Sequence, residues 1–453
     1  MKFYLNLFVH LFISLCLVVG PSFAQTIDGP EDLVVYEVNL RAFSEQGDLA
    51  SVTNRLGEIQ ELGANTIWLM PIHPIGIINR VGALGSPYSV RNYGEVSKEY
   101  GVLQDLKDLV EQAHQRNMLV MMDWVANHTA WDHPWIFSNP EWYTQDEQGN
   151  IVHPAGTNWF DVADLNYDNH QMRAAMVAEM KYWIEEVGID GYRCDTADFI
   201  PFDFWQTAIP ALRACTTKRL FMLAEGARPD NYTAGFDMTF GWGFYNSLKS
   251  VFNNSVSANQ IWASHQGEYA VVPSGSTVLR FTTNHDETAW DAPPPVLFGS
   301  LEASQAAYAI TVLFGGTPLV YTGQEIGWEQ NTPFFDKDPI DWSFGQQTRV
   351  WYQNLLQARQ VQQAIRKGTL GNYGDENVVV VERQYQGRRV LGIVNTRNSN
   401  ATVQIPENLR GRWLDLYLPN PTELSKTMNL KPYEIVLLRS PAIVPRFQGS
   451  TGG

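Results

Sequence analysis

Between residues 33 and 365, short apolar runs alternate with longer segments whose apolar positions recur at helical spacing. The runs at 34–40, 65–71, 118–123, 189–194, 220–225, 235–239, 278–284 and 318–322 read as buried strands, and segments such as 49–62, 103–116, 301–313 and 348–365 as helices between or after them. Eight such alternations predict a closed parallel (β/α)8 barrel, with an open doubly wound sheet as the alternative. One unit is especially clear. Met172, Met176, Met180, Trp183, Ile184 and Val187 share a helical face, and Gly188 follows as a left-handed cap. In the strand after it, alternation puts Gly191, Arg193 and Asp195 on one face and Tyr192 and Cys194 on the other. A cation and a carboxylate thus leave a buried strand together, either as a structural ion pair or as part of a site.

Two regions break the rhythm. Residues 129–166, rich in Trp, Pro, Asp, Asn and Gly, read as an excursion between the third strand and its helix. Beyond Arg366 the runs 378–383, 389–394, 402–405, 412–417 and 434–439 have turn residues between them and no helical period, which predicts a small β-sandwich. The expected division is a signal peptide at 1–24, a catalytic barrel at 25–365 with 129–166 inserted, a β-domain at 366–441 and a tail at 442–453.

The N-terminus supplies Lys2, an apolar run and Ser22-Phe23-Ala24, a pattern that suits cleavage before Gln25 and a secreted or periplasmic protein. No later segment has the length and apolarity of a membrane span. Cleavage removes one Lys and no acid, which takes the net charge from −16 to −17. That acidity argues against nucleic acid or an anionic membrane as partner and fits a neutral ligand. Two cysteines would survive cleavage, Cys194 and Cys215, at opposite ends of one strand–helix unit, so no disulfide is expected.

A barrel of this kind carries its site at the C-terminal ends of its strands. Those ends hold Asp123 with Asn127 and His128, then Arg193 with Asp195, then Glu225, then His285 with Asp286. Three acids on separate strands converging with imidazoles, a guanidinium and abundant aromatics suggest glycoside hydrolysis. Arg193 beside Asp195 should lower its pKa and suit it as nucleophile, while the apolar residues before Glu225 should raise its pKa and suit it as acid. Asp286 is left to hold ring hydroxyls and stabilise positive charge. A metal site built on the two histidines is not expected, because no short ligand spacing accompanies them.

The segments DWVANHT, GYRCD, LAEG and FTTNHD, in this order, resemble the four signature regions of the α-amylase family (glycoside hydrolase family 13). GTPLVYTGQE resembles a further family segment at strand eight, and SPYSVRNY the loop after strand two. The resemblance implies retaining hydrolysis of α-linked glucans, with Asp195 as nucleophile, Glu225 as general acid/base and Asp286 as transition-state stabiliser. It also implies that Arg193, His128 and His285 contact the donor sugar, with Tyr88 stacked beneath it. A transglycosylase or glucan isomerase would use the same residues, and a non-catalytic glycan-binding relative would be expected to lack one of the acids. No organic cofactor is implied. A structural calcium ion is, at Asn127 and Asp164, with the carbonyl of Phe199 as a further donor. Asp198-Phe199 stands where many members have Lys-His, and Asn92 where an acid is common. Trp131, Trp135, Trp142 and Trp159 of the insert are candidates for stacking on sugar.

Overall fold

The computed structural model describes residues 27–253 and 256–441. The expected signal peptide and tail therefore lie outside the described residues. Eight parallel strands close into a barrel: β1 (Val35–Val38), β2 (Thr66–Leu69), β3 (Leu119–Trp124), β6 (Gly191–Cys194), β7 (Phe221–Ala224), β8 (Met238–Phe240), β9 (Thr277–Arg280) and β10 (Thr317–Tyr321), with β1 bonded to both β2 and β10. Between β3 and β6, β4 (His128–Ala130) and β5 (Val162–Asp164) form an antiparallel pair in the excursion after β3. The helices fall between strands as the periodicity requires, for example Leu49–Leu62, Leu103–Gln115 and Leu301–Leu313.

Alternation along the strands builds the interior in layers. Met121 and Asp123, Gly191 and Arg193, and Leu223 and Glu225 are successive inward positions, so apolar residues fill the barrel and charged ones crown its C-terminal end. Met121, Trp68, Phe221, Leu223, Met238 and Leu279 belong to one buried cluster inside the barrel. The helix Met172 belongs to runs through His170–Tyr182 and a wider turn, Trp183–Val187, before Gly188 (φ 79°) stops it. Gly191 is needed by its neighbour strand: a Cβ there would lie 1.9 Å from Phe221 O.

The C-terminal strands are β11 (Thr369–Asn372), β12 (Val378–Tyr385), β13 (Arg388–Asn395), β14 (Ala401–Gln404), β15 (Gly411–Asp415), β16 (Pro421–Leu424), β17 (Thr427–Leu430) and β18 (Ile435–Arg439). Six pair in one sheet, and β14 and β17 form a second. Val380, Ile393, Val403, Trp413 and Leu430 from both sheets share one core. The other face of β12 and β13 joins the barrel core through Val379, Val381, Val390 and Val394. Cys194 and Cys215 are both free thiols. No helix among the described residues is long and apolar enough to cross a membrane.

Candidate active site

Arg193 organises the mouth of the barrel. It is fully buried, and its Nη1 donates hydrogen bonds of 2.8 Å to Asp123 Oδ1 and Asp195 Oδ1. Its Nη2 lies 2.8 Å from Glu225 Oε1, close enough for an ion pair but without hydrogen-bond alignment. Glu225 Oε2 instead accepts from Thr196 N at 2.7 Å, a bond available because Thr196 adopts a left-handed turn (φ 41°) directly after Asp195. Asp123 is saturated: its Oδ2 also accepts from Trp68 Nε1 (3.0 Å) and the Tyr88 hydroxyl (2.9 Å). The Tyr88 oxygen lies 2.8 Å from His285 Nε2, and His285 Nδ1 faces buried Glu37. His285 Nε2 is also 3.3 Å from Asp286 Oδ2. One connected network therefore joins the acids to the histidine and the tyrosine.

Tyr88, His128, Asp195, Thr196, Glu225, His285 and Asp286 line a cleft of about 640 Å³, with Trp290 and Phe334 also on its wall. The size suits a small ligand with a few convergent polar groups. Of the four insert tryptophans, Trp159 lines this cleft, packed between His128 and Phe199. Trp135 and Trp142 pack on one another, and Trp135 on Tyr93, while Trp131 donates to Phe160 O.

The expected electrostatic contrast between the two acids is corrected. Burial pushes both Asp195 and Glu225 up to about 7, against the pull of Arg193. The guanidinium cannot single out Asp195, because it is shared with Asp123 and Glu225 as well. The two acids differ in their hydrogen bonds: Asp195 accepts from Arg193, whereas Glu225 accepts from Thr196 N and meets Arg193 only as a close approach. Burial also raises Asp286 and lifts Asp123 to about 6, while it lowers His128 to about 4 and keeps it neutral.

Asn127 and Asp164 do not fit a calcium ion. The backbone oxygens around them already accept hydrogen bonds: the Tyr93 hydroxyl bonds Val125 O (2.7 Å) and His128 O (3.1 Å), and the Tyr167 hydroxyl bonds Ala126 O (2.7 Å). Asn127 O accepts from Leu165 N, and the Asp164 carboxylate has Thr144 as a partner. At the Phe199 turn, Arg228 donates to Asp198 O, so a guanidinium stands beside the third expected donor. One carboxylate and one amide fall short of the six to eight oxygens calcium takes. Among the described residues, no group of three or more His, Cys, Asp or Glu side chains is poised around a metal position.

Several participants escaped the sequence reading. Glu37 sits in an apolar strand, and a lone acid at an inward position there was the available signal. Thr196, Trp290 and Phe334 carried none, since a left-handed turn and loop packing are tertiary outcomes.

The catalytic-domain description of the α-amylase family matches residues 21–150 and 136–222. Alpha-amylase 3 of Dictyoglomus thermophilum is 24% identical over 91% of this chain and 94% of its own length. A probable oligo-1,6-glucosidase of Bacillus subtilis is 30% identical, but over 38% of this chain and 35% of its own. Among solved structures, a maltogenic α-amylase of Thermotoga neapolitana superposes with a TM-score of 0.82 at 29% identity, covering 90% of this chain and 98% of that one.

Proposed function

We propose that this chain, which belongs to the α-amylase family, hydrolyses the α-glucosidic bonds of α-1,4-glucans or maltooligosaccharides with retention of configuration. The observation that carries the reading is the sharing of Arg193 by Asp195 and Glu225 in one cleft with Asp286. Asp195 Oδ1 is tied to Arg193, and Oδ2, which accepts a longer bond from the Thr196 hydroxyl (3.3 Å), is the oxygen that attacks the anomeric carbon. As the C1–oxygen bond breaks, its electron pair goes to the glycosidic oxygen, which takes the proton of Glu225. The donor sugar is left as an ester on Asp195. Water then gives a proton back to Glu225 and attacks the same carbon, releasing Asp195. The ionised partner raises the pKa of the other acid, so the pair holds one proton near neutral pH. The aligned hydrogen bond from Arg193 favours the anion on Asp195, which puts that proton on Glu225. Asp286 faces the positive charge that develops on the sugar, whose hydroxyls contact His285 and the neutral His128.

Incubation with starch, pullulan, cyclodextrin and short maltooligosaccharides, followed by product chromatography, tests the reading. Shorter glucans are expected. Products longer than the substrate would favour transfer to sugar over transfer to water, and no product would sink the proposal. Export accompanies it, since residues 1–24 have the pattern of a cleaved leader. Mature protein recovered from medium or periplasm should begin at Gln25, and an uncleaved N-terminus would refute this.

A further inference from the structure

The loops that follow β2 and β10 rise on either side of β1, because those strands flank it in the barrel. They are sutured together. Leu84 N donates to Phe335 O at 3.1 Å, and Gly82 packs so tightly that a Cβ there would lie 2.4 Å from Phe335 Cβ. Arg41, only 2% exposed, fastens both loops from beneath. Its guanidinium donates to Gly85 O (2.7 Å), Leu84 O (3.2 Å) and Phe334 O (3.4 Å), while Glu99 receives its Nε (2.7 Å) and Nη2 (3.0 Å). Toward the cleft this suture presents aromatic rings. Phe334 stacks on Tyr88 at 5.7 Å, and Trp290 lies 5.6 Å from Phe334 and 5.9 Å from Phe335. Trp290 is also a hydrogen-bond partner of Asp286, yet it remains 64% exposed. These rings offer apolar faces at the mouth, suited to the C–H faces of sugar rings.

The position of this wall decides its effect. In the order β1-β10-β9-β8-β7-β6-β3-β2, the strand opposite β1 is β7, which is followed directly by Glu225. A general acid stands on the side of the leaving group. On that side Trp159 and Phe199 stack at 5.8 Å, and the Phe199 turn is bonded to the acid's own backbone through Ala197 N and Glu225 O (2.9 Å). The donor chain therefore runs from the acid toward the wall above β1. We propose that the Phe334–Phe335–Trp290 wall, held by Arg41, ends the donor side of the cleft, so that the enzyme removes one or two glucose units from the non-reducing ends of maltooligosaccharides rather than cutting within chains. The inference rests on the hydrolytic reading above. Arg41 is a positioning residue in it.

The test compares maltoheptaose carrying a fluorophore at its reducing end with the same molecule blocked at O4 and O6 of its non-reducing glucose. The unblocked chain should yield labelled products shortened by one or two units from the earliest time point. The blocked chain should be cut at below about a hundredth of that rate. Comparable rates on both, with labelled products of scattered length, would overturn the wall while leaving hydrolysis intact. No cleavage of either would instead defeat the hydrolytic reading. Phe335→Ala and Arg41→Ala should raise the blocked-to-unblocked ratio by about tenfold or more, with Arg41→Lys in between. A ratio unchanged in folded variants would remove the wall's role, and the wild-type comparison decides should they fail to fold.

Discussion

Burial of charge at Asp195 and Glu225 links catalysis to stability. Folding raises both pKa values to about 7, so between pH about 4 and 7 the folded chain holds more protons than the unfolded one. Stability contributed by these groups therefore falls as pH rises through that window. Asp195→Asn and Glu225→Gln remove the cost. Each should lower turnover by about a thousandfold or more, yet raise the melting temperature at pH 7 to 8, with the gain vanishing below pH about 4. Calorimetry across pH checks this, and amide variants destabilised at pH 8 would contradict it. Because the pair works with one shared proton, kcat/KM should be bell-shaped around pH about 7, falling on both sides as the pair gains or loses a proton. That Asp195 and Glu225 would meet at one end of the barrel was legible in the sequence. Their electrostatics were not, because Arg193 also meets Asp123, 70 positions away, and no local window contains that contact.

At the scale of elements, strongly periodic segments were read to the residue, as with Leu49–Leu62 and Leu301–Leu313. The helix expected at 348–365 instead breaks at Gln362, which leaves the helical region (ψ 88°), giving Gln346–Val361 and Gln363–Lys367. Strands β11, β16 and β17 went unread because each is half exposed and offers at most one buried side chain to the pattern. The expected strand at 278–284 ends at Arg280, and the residues after it leave the ladder to bring His285 and Asp286 to the mouth. Gly191 shows how a strand position can be dictated from outside its own sequence. Gly191→Ala would drive a methyl group into Phe221 O and push β6 from β7, directly beneath Arg193. A loss of about 2 kcal/mol or more is expected in urea unfolding, with activity falling alongside. A neutral effect would mean the two strands can separate without cost.

For the whole molecule, barrel and β-sandwich share one core, and Arg383 reaches from β12 to Ala364 O and Phe314 O. Chelator and added calcium should leave the melting temperature unchanged, and a chelator-sensitive transition would reveal a site that Asn127 and Asp164 do not form here. The fold class was readable from the alternation alone, whereas the closure of two loops over β1 was not, because it depends on Arg41 meeting backbone carbonyls far along the chain. In the proposed double displacement, Asp195 forms a covalent bond to the sugar in a cleft shared with Glu225. Proton NMR of the first minutes of maltooligosaccharide hydrolysis tests it most directly. Double displacement predicts that the α-anomer of the new reducing end appears first and then mutarotates. An initial β-anomer would contradict it.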